Sequence, residues 1–204
     1  ENLENYFSTI PYSDLKVFDA ILDYIPENSI LHMGNSSVVR YCQLFDPIRT
    51  INYYSNRGTS GIDGCTSTAC GAALISAENN VLISGDVSFF YDSNALWSAH
   101  LGENLRIIVI NNNGGGIFRI IDGPSNENQL TKFFEAKHNY TAEFICKAFD
   151  VDYMKATSIE NIESSMEEFY KISANKRPKL IEIFTPSDIN DKVLKEYFNH
   201  IRLS

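Results

Sequence analysis

Two short apolar runs, each followed at once by polar and glycine residues, constrain the fold of this chain more than any other feature. Val81-Leu82-Ile83-Ser84 leads into Gly85-Asp86, and Ile107-Ile108-Val109-Ile110 leads into residues 111–116. Unbroken runs of this kind are typical of strands that are buried on both faces of a parallel sheet. Each strand therefore delivers its polar residues to the carboxyl edge of the sheet, where open α/β sheets bind ligands.

The rest of the chain alternates between strand and helix patterns. Further strands are predicted over residues 29–33, 50–54, 151–155 and 179–184. Helices are predicted after the Ser13/Asp14 cap, after residue 36, and over residues 66–77, 92–100, 142–149, 159–172 and 188–201. This order indicates βαβ units with right-handed crossovers. We therefore expect an α/β fold, a three-layer parallel sheet with helices on both faces, formed as a single domain by residues 1–204.

Composition excludes several classes of protein. The net charge of −9 argues against nucleic-acid binding, because a phosphate backbone requires a basic surface. No apolar stretch approaches the ~18 residues of a membrane span. The spacing of the four cysteines fits no zinc pattern and indicates reduced, buried thiols of a cytoplasmic protein. Because the chain does not begin with Met, we expect it to be a piece of a longer protein.

Three polar loops follow predicted strands and should meet at one edge of the sheet: residues 34–40, residues 55–64, and Asp86 together with residues 111–116. The Asp86 carboxylate, the Asn112 amide oxygen and a backbone carbonyl near Gly114 could converge there, with Asn113 as the alternative amide ligand. Hard oxygens without His or Cys suit Mg²⁺. Each piece alone also fits ordinary turn and cap chemistry, so the magnesium site rests on their combination.

Other polar side chains near these loops suggest anion binding. Arg40 and Arg57 offer two-donor forks that match carboxylate or phosphate, although a surface arginine is by default an ion-pair partner. Ser88 could donate to a phosphate oxygen. The four histidines show no ligand spacing, and we expect all of them to be structural or exposed.

At this point the residues resemble a known family. Gly85-Asp86, Asn111-Asn112 and the segment between them resemble the metal–diphosphate motif of thiamine diphosphate enzymes. Residues 34–40, 55–64 and 112–118 look like the carboxy-terminal, diphosphate-binding domain of the 2-succinyl-5-enolpyruvyl-6-hydroxy-3-cyclohexene-1-carboxylate synthase family. One departure is Val87, where the wider motif usually has glycine. The motifs end near residue 121, and beyond it only the architecture matches.

The resemblance implies a role for each matched residue. Asp86, the Asn112 side chain and the Gly114 carbonyl would hold Mg²⁺ (or Mn²⁺). Thiamine diphosphate would contact Ile62, Gly85, Asp86, Val87, Ser88, Asn112, Gly114 and Gly115. Substrate or the covalent intermediate would contact Ser36, Arg40, Arg57, Ile117 and Phe118, with Ile121 beside the apolar wall.

The resemblance also implies a reaction and partners. Enzymes of this family decarboxylate 2-oxoglutarate and add the succinyl unit to isochorismate in menaquinone biosynthesis. Their activating Glu lies in an amino-terminal pyrimidine-binding domain, so we expect this piece to be inactive alone and its parent to be a homodimer or homotetramer. Two alternatives stay open: another thiamine diphosphate-dependent decarboxylase or acetolactate-type synthase, and a noncatalytic binding module of the same fold. A dinucleotide site is disfavoured, since no G-x-G-x-x-G joins a strand to a helix.

Overall fold

The computed structural model of the protein describes residues 2–120, 133–172 and 175–203. The strands are β1 Ile30–Met33, β2 Asn52–Tyr54, β3 Asn80–Gly85, β4 Leu105–Asn111, β5 Asp152–Ala156 and β6 Lys179–Phe184. The helices are α1 Asn2–Thr9, α2 Asp14–Leu22, α3 Ser37–Cys42, α4 Cys65–Ile75, α5 Asp86–Tyr91, α6 Glu143–Ala148, α7 Ile159–Tyr170 and α8 Asn190–Leu203. Short 3₁₀ turns cover Ser93–Trp97 and Gly116–Arg119.

The strands form one sheet in the order β2-β1-β3-β4-β6-β5, and every neighbouring pair is parallel. The register places Ile83 beside Ile108 and Ile110 beside Ile183 in the centre of the sheet. The apolar runs that predicted buried central strands are indeed buried along almost their whole length. The predicted parallel α/β fold is therefore confirmed.

Two apolar clusters cover the two faces of the sheet. Alternate strand residues, such as Ile83 and Leu82, face opposite clusters because side chains of a strand alternate. One cluster is built from α2, α3, α7 and α8, and the other from α4, α5 and α6. This is the three-layer arrangement expected from the sequence, whereas the extent of the domain stays a prediction.

The chain between β3 and β4 differs from the expectation. We predicted a helix over residues 92–100, but α5 begins at Asp86 directly after the strand and ends at Tyr91. Asp92 precedes only the 3₁₀ turn Ser93–Trp97, and its side chain does not cap that turn. Its carboxylate accepts hydrogen bonds from the Ser67 N–H (2.7 Å) and Oγ (2.6 Å) in the first turn of α4. Helix α1, which the sequence analysis missed, carries Tyr6 and Phe7 against the first cluster.

The strand order fixes where a ligand site is expected. The chain passes from β1 outward to β2 and then returns to β3 on the other side of β1, so β1 and β3 flank a topological switch point. Ligands of open α/β sheets bind at that crevice. The four cysteines are free and buried, as predicted. In the part of the chain that the structure describes, no helix is long and apolar enough to cross a membrane.

Candidate functional site

A cavity of about 290 Å³ opens at the switch point, over the carboxyl ends of β1, β3 and β4. Its walls come from all three layers of the fold and from the segment that follows residue 132. It is lined by Asp14, Phe18, Asn35, Ser36, Ser37, Val38, Ile62, Gly85, Asp86, Val87, Ser88, Ile110, Asn112, Gly114, Gly115, Gly116, Ile117, Phe118, Phe134 and Ala136.

Asp86 joins two of the predicted loops. It follows β3 immediately as the first residue of α5, and its side chain is buried. Its Oδ2 accepts a hydrogen bond from the Gly114 N–H (2.9 Å), and its Oδ1 accepts one from the Val87 N–H (2.7 Å). The carboxylate is therefore held in place where the loop after β4 begins.

Asn112 is buried at the cavity wall, and its two amide atoms differ in their surroundings. The Nδ2 group donates to Asp14 Oδ2 at 2.9 Å, whereas Oδ1 is buried and has no hydrogen-bond partner among the residues that the structure describes. A buried acceptor without a partner costs about 1–3 kcal/mol, so a ligand there would be stabilised. Asn113 is exposed and donates its N–H to Asn111 Oδ1 (3.1 Å), which supports Asn112 over Asn113 as the amide ligand.

Gly114 requires glycine. Its φ is +144°, and a Cβ on it would lie 2.4 Å from the carbonyl oxygen of Glu135. Its own carbonyl accepts from the Gly116 N–H at 3.0 Å, across an inverse γ-turn in which Gly115 has φ −80° and ψ 67°. Because a carbonyl oxygen has two lone pairs, one remains for a further ligand.

The donor set at this edge therefore consists of a carboxylate, an amide oxygen and a carbonyl oxygen. Within residues 2–120, 133–172 and 175–203, no group of three His, Cys, Asp or Glu side chains is arranged to hold a metal ion. Transition metals that prefer nitrogen or sulfur thus have no such site in the described part of the chain. Hard oxygen donors of mixed type suit Mg²⁺, which keeps waters and phosphate oxygens in its remaining positions.

Ser88 lines the cavity, where the sequence analysis expected it to contact the diphosphate. Its hydroxyl donates to the Ile62 carbonyl at 2.5 Å, which fixes the loop of residues 55–64 against α5. Its role as a phosphate donor stays a prediction. Ile62 itself is half-buried in the cavity wall, where the resemblance had placed an apolar prop for the cofactor.

The two arginines lie outside this cavity. Arg40 lines an adjoining apolar groove of about 230 Å³ that shares Ser37 and Ile117 with it, and its Nη1 donates to the Ser36 carbonyl at 2.5 Å. Arg57 is exposed, and its Nη1 donates to Asn35 Oδ1 at 3.1 Å. Each guanidinium has five N–H donors, so both keep donors for an anionic ligand.

Ser36 lines the cavity and has a strained backbone conformation. Its φ is +72° and its ψ is −127°, a conformation that a residue with a Cβ rarely adopts. Strain of this kind costs of order 1–3 kcal/mol and is found mainly at functional sites.

The apolar wall matches the expectation for two of its three residues. Ile117 and Phe118 both line the cavity, and the Phe118 ring packs against that of Phe134, with centroids 5.5 Å apart. Ile121 lies outside the described residues. Gly85, Val87 and Gly115, which the resemblance assigns to the cofactor, also line the cavity.

Sequence reasoning missed two residues at this site. Asp14, interpreted only as part of a helix cap, is buried in the cavity wall, and burial raises its pKa to about 6. His138, expected to be structural or exposed, places Nε2 at 3.2 Å from Asp86 Oδ2 while its Nδ1 accepts from the Tyr140 N–H. No local sequence pattern predicts the contact of Asp14 with Asn112 or that of His138 with Asp86, because the partners are distant in the chain.

Comparisons with known proteins agree with this geometry. Residues 32–183 match the family described as "Thiamine pyrophosphate enzyme, C-terminal TPP binding domain". The chain is similar to the 2-succinyl-5-enolpyruvyl-6-hydroxy-3-cyclohexene-1-carboxylate synthase of Christiangramia forsetii, with 54% identity over 199 residues, 98% of this chain and 34% of that protein. The synthase of the same name from Flavobacterium johnsoniae is 45% identical over 198 residues, 97% of this chain and 35% of that protein. The chain thus spans about a third of the length of these curated relatives.

Among solved structures, the chain is similar to the thiamine diphosphate-dependent 4-hydroxybenzoylformate decarboxylase of Rhodococcus jostii RHA1. The TM-score is 0.68 at 20% sequence identity, over 87% of this chain and 34% of that one. At this identity the likeness shows a shared fold.

Proposed function

The chain belongs to the thiamine pyrophosphate enzyme family as a C-terminal TPP-binding domain, and on that premise we propose that it is the part of a synthase that holds the cofactor's diphosphate and Mg²⁺. The synthase decarboxylates 2-oxoglutarate and adds the succinyl unit to isochorismate, a step of menaquinone biosynthesis. The names of the two relatives described above support this activity. The single observation that carries the binding role is the cavity that brings Asp86, Asn112 and Gly114 together at the switch point.

The residues present fit a metal-bound diphosphate. Asn112 Oδ1 is a buried acceptor without a hydrogen-bond partner in the described part of the chain, so it is available as a metal ligand. A Cβ at Gly85 would meet nothing within 4 Å, so this wall has open space at the point where β3 ends. The oxygen donor set favours Mg²⁺ over softer metals.

Within the proposed site each residue has a distinct task. When bound, thiamine diphosphate supplies the stabilised carbanion chemistry that removes CO₂ and forms the new carbon–carbon bond. Asp86, Asn112 Oδ1 and the Gly114 carbonyl would hold Mg²⁺, and Ile62 would support the cofactor from the side of the 55–64 loop. Ile117 and Phe118 form an apolar wall that keeps water from the reacting carbon.

Both proposed substrates are polyanions, and Arg40 and Arg57 would bind their carboxylates. Arg40 stands at the adjoining groove and Arg57 beside Asn35 at the cavity rim, each with one N–H already committed to the protein. That commitment orients the guanidinium, and the remaining donors match a carboxylate in two-donor geometry. Ser36 would contact the substrate or the covalent intermediate between them.

The remaining parts of the proposal concern the whole protein. We propose that residues 1–204 act as one TPP-binding domain and that the pyrimidine-binding domain with the activating Glu comes from outside them. The assembly would be a homodimer or homotetramer in the cytoplasm. The small share of each relative that the chain covers supports a further domain.

Calorimetric titration of the full-length protein with thiamine diphosphate tests the binding role. We expect binding in the presence of Mg²⁺, loss of binding with a chelator, and loss of binding in Asp86→Ala. Asp46→Ala, which removes an exposed carboxylate outside the cavity, should bind as the unchanged protein does. Equal affinities of Asp86→Ala and Asp46→Ala would refute the site.

Substrate use distinguishes the synthase from other thiamine diphosphate enzymes. We expect turnover of 2-oxoglutarate with isochorismate, and we expect the double variant Arg40→Ala, Arg57→Ala to abolish it while metal-dependent cofactor binding persists. Turnover of pyruvate that is unaffected by the double change would favour an acetolactate-type enzyme instead.

A further inference from the structure

We propose that Asp14 is a positioning residue that fixes the Asn112 amide with its oxygen towards the metal and its nitrogen away from it. The inference rests on the proposed function, because it concerns the metal site of that same cavity. It assigns a role to a buried carboxylate that is not among the metal-binding residues.

Asp14 is itself held from three sides. It is the first residue of α2, next to the N-cap Ser13, where the helix N-terminus favours a negative charge. Its N–H donates to Asn190 Oδ1 at 2.9 Å, and its Oδ1 accepts from Thr185 Oγ1 at 2.5 Å. Its second oxygen, Oδ2, is thereby aimed at Asn112.

Thr185 connects this carboxylate to the sheet. It follows β6 directly, and its N–H donates to the Asn111 carbonyl at 3.0 Å, one residue before Asn112. The Asp14 carboxylate therefore bridges the carboxyl ends of the neighbouring strands β4 and β6. A bridge between two rigid elements holds a side chain more accurately than a contact within one loop.

The chemistry of the contact determines the orientation of the amide. The oxygen and nitrogen ends of an Asn side chain are nearly equal in size, so packing alone leaves a flipped orientation possible. An ionised carboxylate only accepts hydrogen bonds, and it therefore selects the Nδ2 end of Asn112 as its partner. The bond measures 2.9 Å, and Oδ1 is left on the opposite side, where it is buried and has no partner within residues 2–120, 133–172 and 175–203.

A flipped amide would present N–H groups to a cation and would leave Oδ1 against the Asp14 carboxylate. Both contacts are repulsive, so the flipped form cannot contribute a ligand. Partners that orient metal ligands in this way affect metal affinity by about 10–100-fold in other proteins. We expect an effect of that size from removing the Asp14 acceptor.

The test compares two variants of Asp14 in the full-length protein, each with a side chain that branches at Cγ. Asp14→Leu removes the acceptor, whereas Asp14→Asn keeps an oxygen that can accept from Asn112 and an amide that can donate to the Thr185 hydroxyl. Asp19→Ala removes a partly exposed carboxylate of the same helix, which pairs with Lys16, and serves as the control. Binding of Mn²⁺ is followed by electron paramagnetic resonance with saturating thiamine diphosphate and no substrate.

We expect the Mn²⁺ dissociation constant to rise about 10–100-fold in Asp14→Leu and to stay within about 3-fold of the unchanged protein in Asp14→Asn and Asp19→Ala. Asn keeps both the shape of the side chain and an acceptor, so the decisive readout is weaker Mn²⁺ binding in Asp14→Leu at a melting temperature equal to that of Asp14→Asn, which a general loss of packing would not give. Melting temperatures of the metal-free variants check that each is folded. If Asp14→Leu is not folded, Asp14→Ala carries the same expectation.

Asn112→Ala separates failure of the inference from failure of the proposed site. If Asn112→Ala weakens Mn²⁺ binding and Asp14→Leu does not, the inference is overturned and the proposed metal site stands. If Asp14→Asn binds as weakly as Asp14→Leu, orientation by hydrogen bonding is overturned. If Asn112→Ala binds Mn²⁺ normally, Asn112 is not a ligand and both conclusions fail.

Discussion

We expect the single substitution Gly114→Ala to disrupt the site strongly. In Gly114→Ala the new Cβ would lie 2.4 Å from the Glu135 carbonyl oxygen and 3.4 Å from the Lys137 Cα. Carbon–oxygen contacts in proteins rarely fall below about 3.3 Å, so the two backbones must move apart by about 1 Å. The φ of +144° would add strain for any residue with a Cβ.

The cost follows from the contacts that this displacement breaks. The Gly115 N–H donates to the Glu135 carbonyl at 2.5 Å, and the Gly114 N–H donates to Asp86 Oδ2 at 2.9 Å. Losing the first removes about 0.5–1.5 kcal/mol, and losing the second, which involves a charge, removes about 1.5–3 kcal/mol. Backbone strain contributes of order 1–3 kcal/mol. Because relaxation recovers part of the sum, we expect the free energy of unfolding to fall by about 3–4 kcal/mol.

Chemical denaturation of the metal-free protein measures this loss, and cofactor titration measures its effect on the site. Gly58→Ala is the matched control, since a Cβ there meets nothing within 4 Å and should change the unfolding free energy by less than about 0.5 kcal/mol. Gly114→Ala should also weaken Mg²⁺-dependent binding of thiamine diphosphate at least about 10-fold, because the Asp86 carboxylate loses its orienting N–H. An unfolding free energy within about 1 kcal/mol of that of Gly58→Ala would show that the close approach is not a constraint.

Three further predictions concern groups outside the metal donors. The buried Glu182 carboxylate accepts hydrogen bonds from Asn111, Thr141, the Ala142 N–H and Tyr153. In urea denaturation, Glu182→Ala should therefore lower the unfolding free energy by at least about 3 kcal/mol. Glu182→Gln, which keeps most of these bonds, should lower it far less. Burial raises the pKa of the thiols of Cys42, Cys70 and Cys146 to about 12. At pH 8 a thiol reagent should therefore label them only when the protein unfolds. Rapid stoichiometric labelling of the folded protein would contradict their burial. The hydrogen bond from Arg119 lowers the pKa of Glu135 from its ordinary value of 4.5. The ionised carboxylate therefore stabilises the fold above that pH, and this contribution is lost as the pH falls through the lowered pKa. Glu135→Gln should have a lower unfolding free energy than the unchanged protein at pH 7, and the difference should shrink in acid.

The sheet and its functional edge could be predicted because local sequence determines them. The run before Gly85 is apolar except for Ser84, and the run before Asn111 is apolar over residues 107–110, a pattern that is typical of strands buried on both faces. The direction of a strand then fixes which end carries its polar residues. The convergence of Asp86 with Asn112 and Gly114 follows from parallel strands in neighbouring positions, and this is the reason that the sequence located the cavity.

The errors have a different cause, namely contacts between residues far apart in the chain. The sequence predicts a helix over residues 92–100, but only the 3₁₀ turn Ser93–Trp97 forms there. The Asp92 carboxylate binds Ser67 on α4, a partner that no local window contains. Two contacts that the sequence does not predict are also long-range: the Ser88 hydroxyl donates to the Ile62 carbonyl, and His138 Nε2 lies 3.2 Å from Asp86 Oδ2. Side-chain partners of this kind appear only once the layers are assembled.

The site depends on the same long-range contacts, and this couples metal binding to the stability of the fold. The Gly114 N–H donates to Asp86, and the Glu135 carbonyl accepts from the Gly115 N–H and so holds the Gly114 segment. Asp14 at the start of α2 accepts from Asn112. Each proposed ligand is thus oriented by an element other than its own. A cation that draws these ligands together favours the assembled state by about 2.7 kcal/mol when its concentration is about 100 times its dissociation constant. Changes that loosen one orienting contact should therefore lower both the metal affinity and the stability of the fold. A change confined to Asn112 Oδ1, the proposed metal ligand, should lower the metal affinity alone.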